Sequence, residues 1–262
     1  MHTRLPVRNW PQFDRRIRND DVKLLADLSR FPNAILVAGC QRSGTTVVTR
    51  ILREALEMPN LGFTKDDELD AALILNGAIE FETSVRCCFQ TTYVNDHVLE
   101  YFEHDNYKLI WIIRRPEAVV RSMLFHWRRG ALNRLFRACG QHALNEKGAR
   151  RFKRFGTHGF SRAEMACHSY NVKTAQVHEI AARLGPERLY ILDYDDLIDR
   201  SDILLPDIFS FASVSYDDRF LRRLRKRSQP KREQLDEPTR NRIRETCEPE
   251  YQRVVDLAKT WR

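Results

Sequence analysis

The chain has 262 residues, of which 42% are hydrophobic and 31% charged, the composition of an ordinary globular protein with one substantial α/β domain. No run approaches the ~20 apolar residues that a membrane-spanning helix needs, and the N-terminal stretch lacks the apolar core of a secretory signal. Lys and Arg outnumber Asp and Glu by 44 to 36, and the resulting charge of +8 favours an anionic ligand without identifying it.

The six cysteines show neither a CxxC pair nor regular spacing. The adjacent Cys87 and Cys88 are expected to point to opposite faces of a strand, which argues against a shared zinc ion. The pattern therefore predicts reduced, mostly buried thiols in a cytoplasmic protein that needs no metal.

Five short stretches predict strands, and six longer ones predict helices between them. Residues 34–38 and 109–113 are uninterrupted apolar runs, the pattern of central parallel strands buried on both faces. Weaker strand predictions fall at 61–63, 85–89 and 189–192. Helices are predicted at 45–56, 67–75, 96–102, 117–129, 162–184 and 236–260. This alternation predicts a single α/β domain, with a parallel sheet of about five strands flanked by helices.

Residues 130–160 interrupt the alternation with several glycines and the cationic run KGARRFKRFG. A long polar insertion in a compact domain is typical of a lid, a binding loop or a disordered segment, and these alternatives stay open. The domain core is expected at about 33–235, followed by a C-terminal helix within 236–262.

The segment AILVAGCQRSGTTVVTRIL (34–52) carries the first functional pattern. A buried strand ends at Gly39, a tight loop follows, and a helix begins near Gly44. The N–H groups at such a helix N-terminus favour an anion, and Thr45 and Thr46 add hydroxyl donors. The loop is therefore expected to hold a phosphate. An NTPase loop has lysine directly after its second glycine, whereas this chain has Thr45 there and its cation earlier, at Arg42.

The string RSGTT (42–46) resembles the 5'-phosphosulfate loop of the sulfotransferase superfamily, in which a basic residue, Ser-Gly-Thr and a second hydroxyl residue follow a strand. The resemblance implies a P-loop-type fold that uses 3'-phosphoadenosine-5'-phosphosulfate (PAPS) as sulfuryl donor and releases 3',5'-adenosine bisphosphate (PAP). It places Arg42 as the catalytic cation and Ser43, Gly44, Thr45 and Thr46 on the phosphosulfate. The alternative is an incidental strand–turn–helix connection.

A second pattern follows the strand at 109–113, where Arg114, Pro116 and Ser122 have the spacing of the superfamily's 3'-phosphate motif. Arginine can offer a two-pronged hydrogen bond to a phosphate, and serine adds one donor. By resemblance, Arg114 and Ser122 bind the 3'-phosphate. The competing interpretation is an ion pair between Arg114 and a carboxylate such as Glu117.

Two weaker resemblances lie further along the chain. The YDDL sequence at 194–197 matches a superfamily segment, and its expected role is helix capping by Asp195 or Asp196. The cationic region 222–235 corresponds loosely to a segment that covers the nucleotide, with Ser228, Lys231 and Arg232 as candidate ligands. A solvated basic helix face explains that region equally well.

Sulfuryl transfer also needs a base that activates the acceptor. The resemblance to carbohydrate- and tyrosine-type members points to Asp66, Asp67 and Glu68, although Asp66 or Asp67 is equally suited to cap the following helix. His126, four residues after Ser122, is the remaining candidate, with a packed structural role as its alternative.

The sequence thus predicts a sulfotransferase that acts on a small-molecule, carbohydrate, lipid or peptide acceptor, with no nucleic-acid partner. A P-loop kinase or NTPase is disfavoured by the missing lysine after Gly44. A nucleic-acid-binding module is disfavoured because the sequence contains no recognisable nucleic-acid-binding motif. A non-catalytic nucleotide-binding protein stays open because the base is not singled out.

Overall fold

The computed structural model describes residues 7–20, 22–225 and 234–261. Within this part of the chain, four parallel strands form one sheet: β1 (Ala34–Gly39), β2 (Cys88–Gln90), β3 (Tyr107–Ile113) and β4 (Leu189–Asp193). Their order across the sheet is β2–β1–β3–β4. The α/β class and the parallel sheet flanked by helices are confirmed.

Helices occupy both the connections between the strands and the C-terminal region. Those described are α1 (Trp10–Asp20), α2 (Thr45–Ala55), α3 (Asp67–Leu75), α4 (Pro116–His126), α5 (Arg129–Ala138), α6 (Glu146–Phe155), α7 (Arg162–Arg183), α8 (Tyr194–Asp199), α9 (Ser201–Ala212), α10 (Arg219–Arg225), α11 (Glu237–Thr246) and α12 (Glu248–Trp261). None of these helices has the length and apolar character needed to cross a membrane.

The two central strands bring two loops to the same edge of the sheet. β1 is buried at every position, and β3 is buried at all but Lys108. Their register pairs Leu36 with Leu109 and Gly39 with Ile112. Because carboxyl ends of neighbouring parallel strands meet at one edge, the loop after β1 lies beside the loop after β3.

The structure describes four strands, whereas about five were predicted. The region 61–63 is a loop, because the N–H groups of Phe63 and Thr64 donate to the buried carboxylate of Asp70 (3.0 and 2.8 Å) instead of to a neighbouring strand. The strand predicted at 85–89 lies later, at Cys88–Gln90. The predicted helix 96–102 is a 3₁₀ helix, Val98–Glu103.

Two further helix predictions also need correction. The helix predicted at 117–129 is α4, which ends at His126, and a separate helix, α5, begins at Arg129. The single C-terminal helix predicted at 236–260 is two helices, α11 and α12. Pro249 lacks an N–H group, so it suits the first turn of α12 and not the interior of one long helix.

Residues 130–160 are folded, mainly as α5 and α6. Their apolar side chains join a second hydrophobic cluster with α4, α7 and α11, in which Phe136, Leu132, Met165 and Tyr170 are buried. This cluster lies beside the larger core that surrounds the sheet. All six cysteines are buried and free of disulfides, as the sequence predicted.

Candidate active site

The loop between β1 and α2 has the conformation of an anion-binding turn. Gly39 has φ +128°, and a Cβ there would lie 2.1 Å from the carbonyl oxygen of Ile112, so only glycine fits beside β3. Gly44 (φ +100°) precedes the first residue of α2, Thr45. The N–H groups that begin α2 have no partner within the helix, so this loop favours an anion.

Arg42 and Ser122 connect this loop to α4, which follows β3. Arg42 Nε donates to Ser122 Oγ at 2.9 Å, and Ser122 is only 1% exposed. Arg114 Nη1 lies 3.4 Å from the carbonyl oxygen of Arg42. The two predicted phosphate motifs are therefore in direct contact.

The electrostatics of this contact favour a negatively charged ligand. Burial, followed by the charge of Arg114, lowers the pKa of Arg42. Among the described residues, no carboxylate lies within 4 Å of the Arg42 guanidinium. Arg114 Nε has one carboxylate nearby, Asp195 Oδ1 at 3.7 Å, and forms no hydrogen bond with any described residue. Two neighbouring arginines whose positive charges have so few nearby carboxylates are suited to bind an anionic ligand.

The YDDL segment holds the second loop in place. The Arg114 guanidinium lies 4.9 Å from the ring centre of Tyr194, and Asp195 accepts hydrogen bonds from the backbone and side chain of Arg115. The residue that caps α8 is Asp193, which accepts from the Asp195 N–H at 2.9 Å. The expected capping by Asp195 or Asp196 is therefore wrong. The alternative interpretation of Arg114, an ion pair with a carboxylate, is met by Asp195 at 3.7 Å and not by Glu117.

A cavity of about 1470 Å³ opens at this edge of the sheet. It brings together Arg42, Gly44, Thr45, Thr46, Arg114 and Ser122 with Asp66 and Glu68. Ser43, between the lining residues Arg42 and Gly44, is fully buried, and its hydroxyl has no hydrogen-bond partner among the described residues.

The three acidic candidates take different positions. Asp66 caps α3 by accepting from the N–H groups of Glu68 and Leu69, and it also accepts from Trp10 Nε1 at 2.8 Å. Asp67 Oδ2 lies 3.8 Å from Arg50 and 3.9 Å from an Arg53 nitrogen, and it does not line the described cavity.

Glu68 lies within the cavity between two polar neighbours from the end of β2. It accepts from Gln90 Nε2 at 2.8 Å and from the hydroxyl of Thr92. Burial raises the pKa of Glu68 to about 7, although the Thr92 hydrogen bond and the positive charge of Lys173 oppose the shift. Lys173 is itself buried, and its Nζ donates to the Thr92 carbonyl oxygen at 3.3 Å. A carboxylate with this pKa is suited to accept a proton near neutral pH.

The remaining candidates lie elsewhere. His126 is exposed at the end of α4 and is not among the described residues that line the cavity. Ser228, Lys231 and Arg232 lie outside the described residues. No group of three or more His, Cys, Asp or Glu within the described ranges is placed to hold a metal.

Sequence reasoning missed several side chains that complete the site: Trp10, Gln90, Thr92, Tyr93, Arg121 and Lys173. Gln90 and Thr92 could be predicted from the sequence, because side chains at the carboxyl end of a parallel strand are expected at the site. The predicted strand 85–89 ends one residue before the observed end of β2 at Gln90. Trp10 had no comparable signal, since its position depends on how α1 packs against the sheet.

The parallel sheet and the loop after β1 define a P-loop-type α/β protein. No family model and no curated protein matches the chain in sequence. Solved structures do match. A sulfotransferase domain from the curacin biosynthetic pathway aligns with a TM-score of 0.50 and 16% identity, over 87% of this chain and 98% of that one. A sulfotransferase from Alicyclobacillus acidocaldarius aligns at 0.52 and 15%, over 87% and 96%. The chain therefore has the sulfotransferase fold.

Proposed function

We propose that this protein is a sulfotransferase that transfers a sulfuryl group from PAPS to a hydroxyl or amine of an acceptor. The observation that carries the proposal is the convergence of Arg42, Arg114 and Ser122, from two separate loops, on a cavity that also contains Glu68. The shared fold supports it.

The site's donors fit a nucleotide with phosphate-type groups at both ends. Backbone N–H groups at the start of α2, with the hydroxyls of Thr45 and Thr46, suit the 5'-phosphosulfate. Arg114 and Ser122 suit the 3'-phosphate. Arg114 Nε makes no hydrogen bond within the described chain, and the Ser122 hydroxyl accepts from Arg42, which leaves its own proton free to donate. Ser228, Lys231 and Arg232 remain proposed contacts.

PAPS, when bound, supplies an activated sulfuryl group whose bond to the 5'-phosphate breaks as a new bond to the acceptor forms. Arg42 stabilises the negative charge that develops on the departing phosphate oxygen, and Ser122 holds the Arg42 guanidinium in place. Glu68 accepts the proton of the acceptor. Gln90 and Thr92 fix the direction of its carboxylate, and a pKa of about 7 leaves much of it ionised at neutral pH.

We also propose how the chain is organised around this site. Residues 33–235 form the core of one sulfotransferase domain, residues 236–262 complete it, and residues 130–160 act as a lid, because α5 from this segment lines the cavity. A cytoplasmic location accords with six unpaired cysteines. The acceptor is a small molecule, a carbohydrate or a lipid.

Calorimetric binding of PAP, compared with 5'-AMP and Mg-ATP, tests the proposal. We expect PAP to bind far more tightly than 5'-AMP, because only PAP offers a group to Arg114 and Ser122. Transfer from labelled PAPS to a panel of hydroxyl compounds then tests turnover. Preference for Mg-ATP would instead identify a kinase or NTPase, and the absence of nucleotide binding would remove the enzymatic proposal altogether.

A further inference from the structure

Two helices outside the sheet, α1 and α5, both line the cavity. Among the residues that line the cavity, each of these helices has four with the spacing i, i+3, i+4 and i+7. These residues are Trp10, Phe13, Asp14 and Ile17 on α1, and Ala131, Arg134, Leu135 and Ala138 on α5. Six of the eight are apolar, so this part of the cavity favours an apolar molecule.

The α1 wall reaches from Glu68 towards α5. Trp10 Nε1 donates to Asp66, two residues before Glu68, and the Trp10 ring lies 5.8 Å from that of Tyr93. One turn further along α1, about 6 Å, Asp14 Oδ2 lies 3.7 Å from Arg134 Nε. The aromatic end of this compartment is therefore beside the proposed base, and its far end is bounded by α5.

Two arginines lie close in sequence to the Asp14–Arg134 ion pair: Arg15 follows Asp14 on α1, and Arg137 comes three residues after Arg134 on α5. Arg15 on α1 and Arg137 on α5 are exposed and line the same cavity. Among the described residues, no carboxylate lies within 4 Å of either guanidinium. An apolar compartment with a base at one end and uncompensated cations at the other suits a molecule with the complementary arrangement.

We infer that the acceptor is an amphipathic alcohol or phenol that carries its own anionic group. Its apolar body lies between α1 and α5, its hydroxyl reaches Glu68, and its carboxylate or other anionic group lies at Arg15 and Arg137. This inference rests on the proposed function, since it assigns the acceptor end of the same cavity.

The test uses calorimetric binding of 4-hydroxyphenylacetate, 4-hydroxyphenylpropionate and 4-hydroxyphenylbutyrate, each against its methyl ester, with and without PAP. At low salt we expect the best acid to bind roughly fivefold more tightly than its ester, because two partly exposed arginines attract its carboxylate. The combined change Arg15→Ala and Arg137→Ala removes this preference. Ile17→Ser weakens acid and ester alike, because it removes apolar contact from α1.

The matched control is Lys153→Ala with Arg154→Ala, which removes the same charge from exposed positions on α6, away from the cavity lining. It should leave the preference for the acid intact. Equal binding of acid and ester, a preference that survives the Arg15 and Arg137 changes, or no binding by any member would each overturn the inference. Loss of PAP binding alone would instead contradict the proposed function, because the acid–ester comparison is also made without PAP.

Discussion

Arg42 Nε and Ser122 Oγ lie 2.9 Å apart, although 80 residues separate them in the sequence. The hydrogen bond joins the loop after β1 to the helix after β3, so each of the two predicted phosphate motifs orients a residue of the other. A bond between a buried hydroxyl and a guanidinium restricts the arginine to one orientation, which is what stabilisation of a developing charge requires.

The first prediction concerns the charge at this bond. Arg42→Ala should abolish detectable transfer from PAPS, a loss on the order of a hundredfold to a thousandfold or more, because the developing charge on the departing oxygen loses its cation. Ser122→Ala should cause a smaller loss, since Arg42 stays charged but is less well oriented. Initial rates with labelled PAPS measure both, and circular dichroism checks the fold. Arg50→Ala, an exposed charge on α2, is the control. Turnover like that of the wild type in Arg42→Ala would remove Arg42 from the mechanism.

The second prediction separates the two phosphate sites. Arg114→Ala should weaken PAP binding by roughly tenfold to a hundredfold, the value of one or two charge-assisted hydrogen bonds, and should scarcely change the affinity for 5'-AMP. Calorimetry with both nucleotides measures the difference. Arg115→Ala tests the neighbouring cation, which pairs with Asp195 and should show little discrimination. Equal losses for PAP and 5'-AMP in Arg114→Ala would mean that the 3'-phosphate binds elsewhere.

The loop from Arg42 to Thr46 was predictable because its conformation is set locally, by a buried strand, two glycines and a helix N-terminus. The proximity of Arg114 to this loop could also be predicted, because the carboxyl ends of neighbouring parallel strands meet at one edge of the sheet. The role of Glu68 did not follow, because consecutive residues around a helix N-terminus point about 100° apart, and Asp66, which caps α3, lines the cavity together with Glu68. Trp10 could not be assigned, since only tertiary packing brings α1 to Asp66.

The third prediction concerns pH. Burial raises the pKa of Glu68 from 4.5 to about 7, so its basic form is lost as the pH falls through 7. The rate of transfer should therefore rise about tenfold per pH unit below 7 and level off above it. Glu68→Gln should lower the rate by about a hundredfold or more and abolish this dependence. Steady-state rates between pH 5 and 9 measure the profile.

Two variants serve as controls for that profile. Asp67→Asn affects a carboxylate that faces Arg50 and Arg53. Both the rate and the acidic limb of the profile, its rise with pH below 7, should therefore persist. Asp66→Asn removes a charge from the cap of α3, and it should lower stability modestly while keeping the limb. If the limb disappears in either variant and persists in Glu68→Gln, Glu68 is not the base.

The fourth prediction assigns Lys173 a positioning role. Its Nζ donates to the carbonyl oxygen of Thr92, whose hydroxyl donates to Glu68, and its positive charge lowers the pKa of that carboxyl. Lys173→Met should therefore move the acidic limb of the rate profile to higher pH. A purely structural role would reduce the rate without moving the limb. Arg183→Met removes an exposed charge from the same helix and should leave the limb in place.

The fifth prediction concerns Gly44, whose backbone has φ +100°. A Cβ at this position would lie 2.3 Å from the Tyr194 ring, which in turn lies beneath the Arg114 guanidinium. Gly44→Ala should therefore displace the ring or distort the loop, at a cost on the order of 1–3 kcal/mol. We expect a lower melting temperature by calorimetry and weaker binding of both PAP and 5'-AMP. Gly130→Ala, where an added Cβ would meet no atom outside its own helix and chain neighbours within 4 Å, should leave both properties unchanged or raise stability slightly. Unchanged nucleotide binding in a folded Gly44→Ala variant would show that the loop tolerates a side chain against Tyr194, and that the contact between the loop and α8 does not shape the anion site.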